Sequence, residues 1–164
     1  MAQTKLQGNP VQTSGDLPAV GQAVPEFSLV DAKLQPVNLS DYAGRRVVLN
    51  IFPSIDTDVC AQSVRKFNEL AASMENTTVI CISHDLPFAL GRFCGAEGID
   101  NVVVASGFRS SFAVDYGVMM VDGALQGLCA RTVIVLDPTH QVLATQLVPE
   151  IGQEPDYETA LAVL

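Results

Sequence analysis

The chain has 164 residues, and 48% of them are hydrophobic, which is enough to build the core of one domain over residues 1–164. The formal net charge is −9, from 18 acidic against 9 basic residues, so the chain lacks the basic surface that a nucleic-acid-binding protein needs. No apolar run approaches the roughly 20 residues that cross a bilayer, and residues 1–8 lack the pattern of a signal peptide. We therefore expect a soluble, cytoplasmic protein without a membrane segment.

The predicted elements begin with two short edge strands around a turn at Gly8-Asn9-Pro10. Apolar alternation, short apolar runs and helical spacing then predict the other elements. In chain order, the first of these are a strand at 27–30, a turn or helix start at 40–42, a strand at 47–52, a helix at 58–74 and a strand at 78–83. A helix that Ser83 or Asp85 would cap follows and ends near 95. The remaining elements are a strand at 102–104, a short helix at 109–116, strands at 132–137 and 141–148 joined by a turn at 138–140, and a helix at 155–164.

This order describes a βαβα unit followed by a ββα unit. Parallel strands need crossover helices, whereas the later pair of strands is close enough to form an antiparallel hairpin. The pattern therefore predicts an α/β fold, a three-layer α/β/α sandwich of thioredoxin type with an N-terminal β-hairpin.

The most informative segment places Cys60 at the start of a helix, directly after the strand that Pro53 ends. Asp56 or Thr57 supplies the N-cap, so the thiol lies in or beside the first helical turn. The residues Cys60, Val64, Phe67, Ala71 and Met74 share one helical face. Unpaired backbone N–H groups and the helix dipole at this end stabilise a thiolate, which is the reactive form of cysteine. The segment indicates a redox-active or nucleophilic cysteine.

The alternative is that Cys60 acts only as a small apolar residue on the inner face of the helix. Asp56 and Asp58 also oppose a thiolate, because nearby negative charge disfavours the anion. A reactive Cys60 therefore needs a cation from elsewhere. Arg131, directly before a predicted strand, is the candidate, although the sequence alone favours a solvated arginine at a strand entrance. Arg65 is the local alternative, but it lies off the Cys60 face.

The four cysteines contain no Cys-x-x-Cys, so neither a thioredoxin-type redox motif nor a zinc knuckle is present. Cys81 is central in a strand and is expected in the core, and Cys129 is interpreted as a bystander. Cys94 is either a packed thiol or a second thiol that captures an oxidised Cys60. His84 and His140 are far apart in sequence, so we expect no metal site and see no obvious Cys–His pair.

The spacing Pro53-x-x-x-Thr57-x-x-Cys60 and the wider run at 50–68 form one motif around the candidate reactive cysteine. This motif resembles the signature of the peroxiredoxins, and within them that of the bacterial thiol peroxidase (Tpx) subfamily of atypical 2-Cys enzymes. Asp58 departs from it, since a small residue or proline is expected there. Further matches are Cys81-Ile-Ser, Asp85-Leu-Pro-Phe-Ala, Arg92-Phe-Cys-Gly-Ala-Glu-Gly98 and the tail at 154–164.

The resemblance implies a role for each matched residue. Cys60 would be the peroxidatic cysteine, with Pro53, Thr57 and Arg131 completing its pocket, and Cys94 would be the resolving cysteine that forms an intramolecular disulfide with it. The implied function is reduction of hydrogen peroxide and organic hydroperoxides with thioredoxin as the reductant, without a cofactor or metal. The resemblance also implies a homodimer.

Two other classes of function stay open at this point. The first is a non-catalytic redox sensor or binding module that switches a partner through a Cys60–Cys94 disulfide. The second is a cysteine hydrolase, which requires a histidine within hydrogen-bond reach of Cys60. The preferred peroxide and the role of Cys129 do not follow from the sequence.

Overall fold

The computed structural model describes residues 1–164, and its elements follow the predicted order closely. The strands are β1 (Gln3–Leu6), β2 (Asn9–Gln12), β3 (Ser28–Asp31), β4 (Pro36–Asn38), β5 (Arg46–Ile51), β6 (Thr77–Ser83), β7 (Val103–Ser106), β8 (Thr132–Leu136) and β9 (Val142–Leu147). The helices are α1 (Asp58–Ala71), α2 (Pro87–Glu97), α3 (Phe112–Asp115) and α4 (Tyr157–Leu161), with a 3-10 turn at Leu39–Tyr42. None of the helices combines the length and the apolar character needed to traverse a bilayer.

Seven strands form one sheet in the order β4-β3-β7-β6-β5-β8-β9. The central strands β5, β6 and β7 are parallel, because α1 and α2 provide the crossovers between them, whereas β8 and β9 form an antiparallel hairpin beside β5. This confirms the predicted βαβα and ββα units.

The sheet carries a core on each face. One core contains the buried face of α1, represented by Val64 and Phe67, together with Leu90 of α2 and Ala160 of α4. The other core contains Phe112 of α3, residues of β3, and residues of the segments that follow β3 in the chain. Helices on both faces of a mixed sheet confirm the predicted α/β/α layers.

The N-terminal β-hairpin, β1 with β2, is attached to the segment that follows β9. The Thr4 hydroxyl donates to the Val148 carbonyl at 2.7 Å, and the Ile151 N–H donates to the Lys5 carbonyl at 2.8 Å. The Glu150 carboxylate accepts the N–H groups of the turn residues Gln7 and Gly8 at 2.8 and 3.1 Å, and these hydrogen bonds hold its pKa below the usual range. These hydrogen bonds therefore attach the hairpin to residues 148–152.

The structure corrects several element boundaries. The first long helix ends at Ala71 rather than near 74, and the short helix spans only Phe112–Asp115. Strand β4 was not predicted, because it has three residues and only Val37 is buried. The expected cap of α2 by Ser83 or Asp85 is wrong: Leu86 holds the N-cap position without a side-chain bond, and Pro87 begins the helix.

Candidate active site

Cys60 lies where strand β5 gives way to helix α1. Strand β5 ends at Ile51, the loop at 52–57 turns the chain, and Thr57 is the N-cap of α1 in extended conformation. Cys60 is the third residue of the helix and is fully buried, and Val64 and Phe67 continue its face into the core. The thiol therefore lies at the N-terminal end of α1 and is shielded from bulk water.

Arg131, directly before strand β8, reaches the same point. Its side chain is buried, with only 2% of the residue exposed, and one terminal guanidinium nitrogen, Nη2, donates to the Cys60 Sγ at 3.3 Å. Its Nε donates to the Ile151 carbonyl at 2.9 Å, which fixes the plane of the guanidinium. The second terminal nitrogen, Nη1, is buried and has no hydrogen-bond partner. Arg131 is therefore a buried arginine beside the thiol, with one donor group to spare.

A cavity of about 230 Å³ opens onto this pair. Pro53, Thr57, Cys60 and Arg131 all line it, so the structure brings together four of the residues that the sequence singled out. Much of the remaining wall is aliphatic and comes from five residues, Leu6, Val59, Leu125, Leu128 and Ile151. The cavity offers a polar end at Cys60 and Arg131 and a predominantly apolar wall.

The residues next to Cys60 differ in their contacts. Pro53 is buried, whereas Thr57 is exposed and its hydroxyl donates to the Ser54 carbonyl at 2.8 Å instead of capping the helix. Asp56 forms an ion pair with Arg92 at 2.6 Å, which offsets its charge. Asp58 is the first helical residue, where a carboxylate interacts favourably with the helix dipole.

Asp85 anchors the loop that leads into α1, a role that the sequence did not indicate. Its carboxylate accepts the Ile55 N–H at 2.7 Å and the Ser54 and Ser83 hydroxyls at 2.8 and 2.6 Å. Its carbonyl accepts the Ser106 hydroxyl. A signal was available, because Asp85 follows β6 and the loop follows β5, and neighbouring parallel strands end at the same edge of a sheet.

Cys94 lies apart from this cavity. It is half-buried on α2 and lines a second cavity with residues 31–33 and 102–104, and the two cavities share no residue. Burial raises the pKa of its thiol. Cys81 and Cys129 are fully buried, and burial raises the pKa of each thiol to about 12. All four cysteines are free thiols.

The two histidines are occupied elsewhere. His84 Nδ1 is 2.9 Å from the Gly127 carbonyl, and His140 Nε2 is 3.0 Å from the Tyr42 carbonyl. The side-chain hydrogen bond to the Cys60 sulfur comes from Arg131 instead. A cysteine hydrolase mechanism, which needs a histidine at the thiol, has no support in this geometry.

The fold and the cavity define a class: a thioredoxin-like α/β protein with a cysteine at a helix N-terminus beside a buried arginine. Comparison with known proteins agrees, since the model of the Redoxin family matches residues 19–161. The chain belongs to this family.

Curated relatives extend over the whole chain. A protein named thiol peroxidase from Corynebacterium glutamicum is 60% identical over 164 residues, covering 100% of this chain and 99% of the relative. Another, from Mycobacterium bovis, is 54% identical with the same coverage. Among solved structures, a peroxiredoxin-like protein from Aquifex aeolicus has a TM-score of 0.94 at 41% identity, covering 99% of this chain and 96% of that one.

Replacing Asp85 with asparagine is expected to loosen the loop at 53–57. The amide nitrogen of Asn cannot accept, so one of the three donors at the carboxylate loses its partner, at a cost of about 1–3 kcal/mol in the free energy of unfolding. Urea unfolding and hydrogen exchange of the loop amides measure the two effects. Asp137→Asn is the control, because Asp137 also accepts N–H groups, at 2.9 Å from Thr139 and 3.0 Å from Gln141, but in the β8–β9 turn. Unchanged exchange at 53–57 in Asp85→Asn would contradict the anchoring role.

Proposed function

We propose that this protein is a thiol peroxidase that reduces hydrogen peroxide and organic hydroperoxides through Cys60, resolves the product with Cys94 and is recycled by thioredoxin. The observation that carries the proposal is the 3.3 Å contact from Arg131 Nη2 to the Cys60 sulfur, at the base of a cavity with a free Arg131 Nη1. The names of the relatives support the same reaction. Residues from the N-terminal hairpin, from helix α1 and from loops as far apart as 53–57 and 151–152 build the one cavity, which supports a single domain over residues 1–164.

The first step follows from the positions of the donors. The Cys60 thiolate attacks the terminal oxygen of ROOH, the O–O bond breaks, and the departing RO⁻ takes up a proton and leaves as ROH. Sulfur is oxidised to the sulfenic acid while the peroxide is reduced. Arg131 faces both the thiolate and, through Nη1, the oxygen on which charge develops. Because the Thr57 hydroxyl donates to Ser54, its oxygen is left to accept a hydrogen bond from the peroxide, and Pro53 shields the sulfur.

The cavity wall supports organic hydroperoxides as good substrates. Five aliphatic residues surround the space beyond Cys60 and Arg131. The alkyl group of a bulky hydroperoxide would bury apolar surface against them, a contribution of about 25 cal/mol per Å² that hydrogen peroxide lacks. We therefore propose that organic hydroperoxides react at lower concentration than hydrogen peroxide does.

The second step requires local unfolding. Cys60 and Cys94 lie on different helices and line different cavities, yet the two sulfurs must approach to about 2 Å. Helix α2 is suited to opening, because Gly91 and Gly95 lie inside it and Gly95 has open space where a Cβ would be. The Cys94 thiol then displaces the hydroxyl of the sulfenic acid as water, and thioredoxin reopens the resulting disulfide by thiol–disulfide exchange.

The second candidate is a redox sensor that uses the same disulfide without turnover. The cavity favours the peroxidase, because a sensor does not require an aliphatic wall shaped beside a buried arginine donor. A sensor stops after one equivalent of peroxide, whereas a peroxidase continues as long as thioredoxin, its reductase and NADPH are supplied. The proposal places the protein in the cytoplasm, where such a reductant operates.

We further propose a homodimer. Leu86, Phe88 and Phe108 are 51, 68 and 44% exposed, which is unusual for large apolar residues. Two hydrogen bonds bring the segment of Leu86 and Phe88 next to the segment of Phe108. The Ser106 hydroxyl donates to the Asp85 carbonyl, and the Phe108 N–H donates to the Ser106 hydroxyl. A second copy covering this patch would pack next to Asp85, whose carboxylate holds the loop that precedes Cys60.

Replacing Cys60 with serine is expected to abolish hydroperoxide consumption, because a hydroxyl is not ionised at neutral pH. Cys94→Ser should consume one equivalent in forming the sulfenic acid and, in excess peroxide, a second in forming the sulfinic acid, and should then stop because it lacks the resolving thiol. A thioredoxin-coupled NADPH assay with cumene hydroperoxide and hydrogen peroxide measures both. Cys129→Ala is the control and should turn over normally. Sustained turnover by Cys60→Ser would overturn the proposal, and normal recycling by Cys94→Ser would assign resolution to another thiol.

Arg131→Lys is expected to slow the oxidation of Cys60 by about 100-fold, the scale of losing a preorganised donor at a developing charge. The charge is kept, but a lysine cannot bond the Ile151 carbonyl, the sulfur and the peroxide with fixed geometry. Competition with a reference peroxidase gives the rate constant. Arg65→Lys is the control, because Arg65 pairs with Glu97 at 2.8 Å on the surface. An unchanged rate in Arg131→Lys would show that Arg131 supplies only charge.

Phe88→Asp is expected to convert the dimer into a monomer, because it buries a charge in the apolar patch. Sedimentation velocity at equal concentrations compares it with Val20→Asp, a control at a residue that is 66% exposed and outside the patch. A monomeric wild type would contradict the dimer. A dimeric Phe88→Asp variant would place the interface elsewhere.

A further inference from the structure

A buried polar network lies directly beneath Cys60 and is not explained by the reaction described above. Asn50 belongs to the central strand β5 and is fully buried, and its immediate neighbours on the same face, Val48 and Phe52, are apolar and buried. Ser63 of α1 is also fully buried. A buried amide in such surroundings is costly unless its hydrogen bonds are made, so these contacts need a physical account.

The contacts lead to the backbone of Cys60. The Ser63 hydroxyl donates to the Cys60 carbonyl at 2.7 Å, and it accepts the Asn50 Nδ2 at 3.2 Å. The same Nδ2 is 3.6 Å from the Cys81 sulfur on the neighbouring strand β6. The Asn50 side-chain oxygen is buried without a partner. One chain of contacts therefore joins the first turn of α1 to two central strands of the sheet.

This connection opposes the opening of the first turn. When residues 58–61 unwind, the Cys60 carbonyl moves away from Ser63, and the hydroxyl and the Asn50 amide lose their arrangement in a buried site. A buried hydrogen bond of this kind is worth roughly a two- to tenfold change in an equilibrium. The network therefore holds Cys60 in the cavity and away from Cys94.

We propose that Asn50 and Ser63 are positioning residues that set how long Cys60 stays in the closed cavity after oxidation, and hence how the sulfenic acid divides between two fates. The proposal rests on the proposed function. In one fate the turn opens, Cys94 attacks, the disulfide forms and water leaves. In the other the turn stays closed and a second ROOH transfers its terminal oxygen to the sulfenate, which gives the sulfinic acid and ROH.

The test compares Ser63→Ala with wild type over a series of cumene hydroperoxide concentrations. Intact-mass and peptide mass spectrometry give the ratio of Cys60 sulfinic acid to Cys60–Cys94 disulfide. We expect Ser63→Ala to lower this ratio by two- to tenfold, since the turn opens more readily. Ser63→Thr keeps the hydroxyl and should restore the wild-type ratio. Ser73→Ala is the matched control, because the Ser73 hydroxyl donates to the Leu70 carbonyl three residues back, but at the exposed end of the same segment.

A second variant keeps the test decisive if Ser63→Ala does not fold. Asn50→Val removes an amide whose oxygen has no partner, so the fold is expected to tolerate it, and it leaves the Ser63 hydroxyl without the donor that orients it. The ratio of Cys60 sulfinic acid to Cys60–Cys94 disulfide should also fall, but by less than in Ser63→Ala. An unchanged ratio in a folded variant that still oxidises Cys60 would overturn the proposal. A wild type that forms no Cys60–Cys94 disulfide would overturn the proposed function instead.

Discussion

The burial of one guanidinium group is the constraint on which the site depends. Arg131 is always charged, is 2% exposed, and has no carboxylate within ion-pair distance. A buried cation without an anion is strongly unfavourable. Its two hydrogen-bond acceptors are the neutral Ile151 carbonyl and the Cys60 sulfur. The fold therefore leaves Cys60 as the one side chain that bonds this buried cation, and the rest of the site keeps the two groups in contact.

The frame that holds this arginine is assembled from distant segments. The Ile151 carbonyl orients the guanidinium, and the same residue donates its N–H to Lys5 of the N-terminal hairpin. The hairpin also brings Leu6 into the cavity wall. On the other side, Asp85 holds the loop before α1 through Ser54 and Ile55, so that the thiol meets the arginine. The hairpin and the acidic anchor are therefore parts of the site, although neither touches the sulfur.

The sequence was informative wherever local chemistry repeats along the chain. Periodicity predicted β5, α1 and β6, and the strand, proline and N-cap before Cys60 located the thiol at a helix start. Long-range partners carry no such signal. A backbone carbonyl such as that of Ile151 looks the same in any sequence, and Asp85, two residues before Pro87, resembles a helix cap. Arg131 was the candidate cation for Cys60 from its place before a strand, but the sequence alone favoured a solvated arginine there, and the resemblance to a family was what assigned it to the Cys60 pocket.

The two cavities place opposite demands on the same residues. In the proposed cycle, oxidation needs Cys60 held deep beside Arg131, whereas disulfide formation needs it to leave that position and meet a thiol from the other cavity. Arg131, Ser63 and the Asp85 anchor all stabilise the first arrangement. Opposing features lie in α2, where Gly91 and Gly95 weaken the helix and Gly98 ends it in the left-handed region with φ of 65°. Stability is therefore distributed unevenly along the chain, with firm support under Cys60 and weak support around Cys94. In the proposed cycle, opening on the Cys94 side would therefore cost less, and α2 would be the helix that yields first.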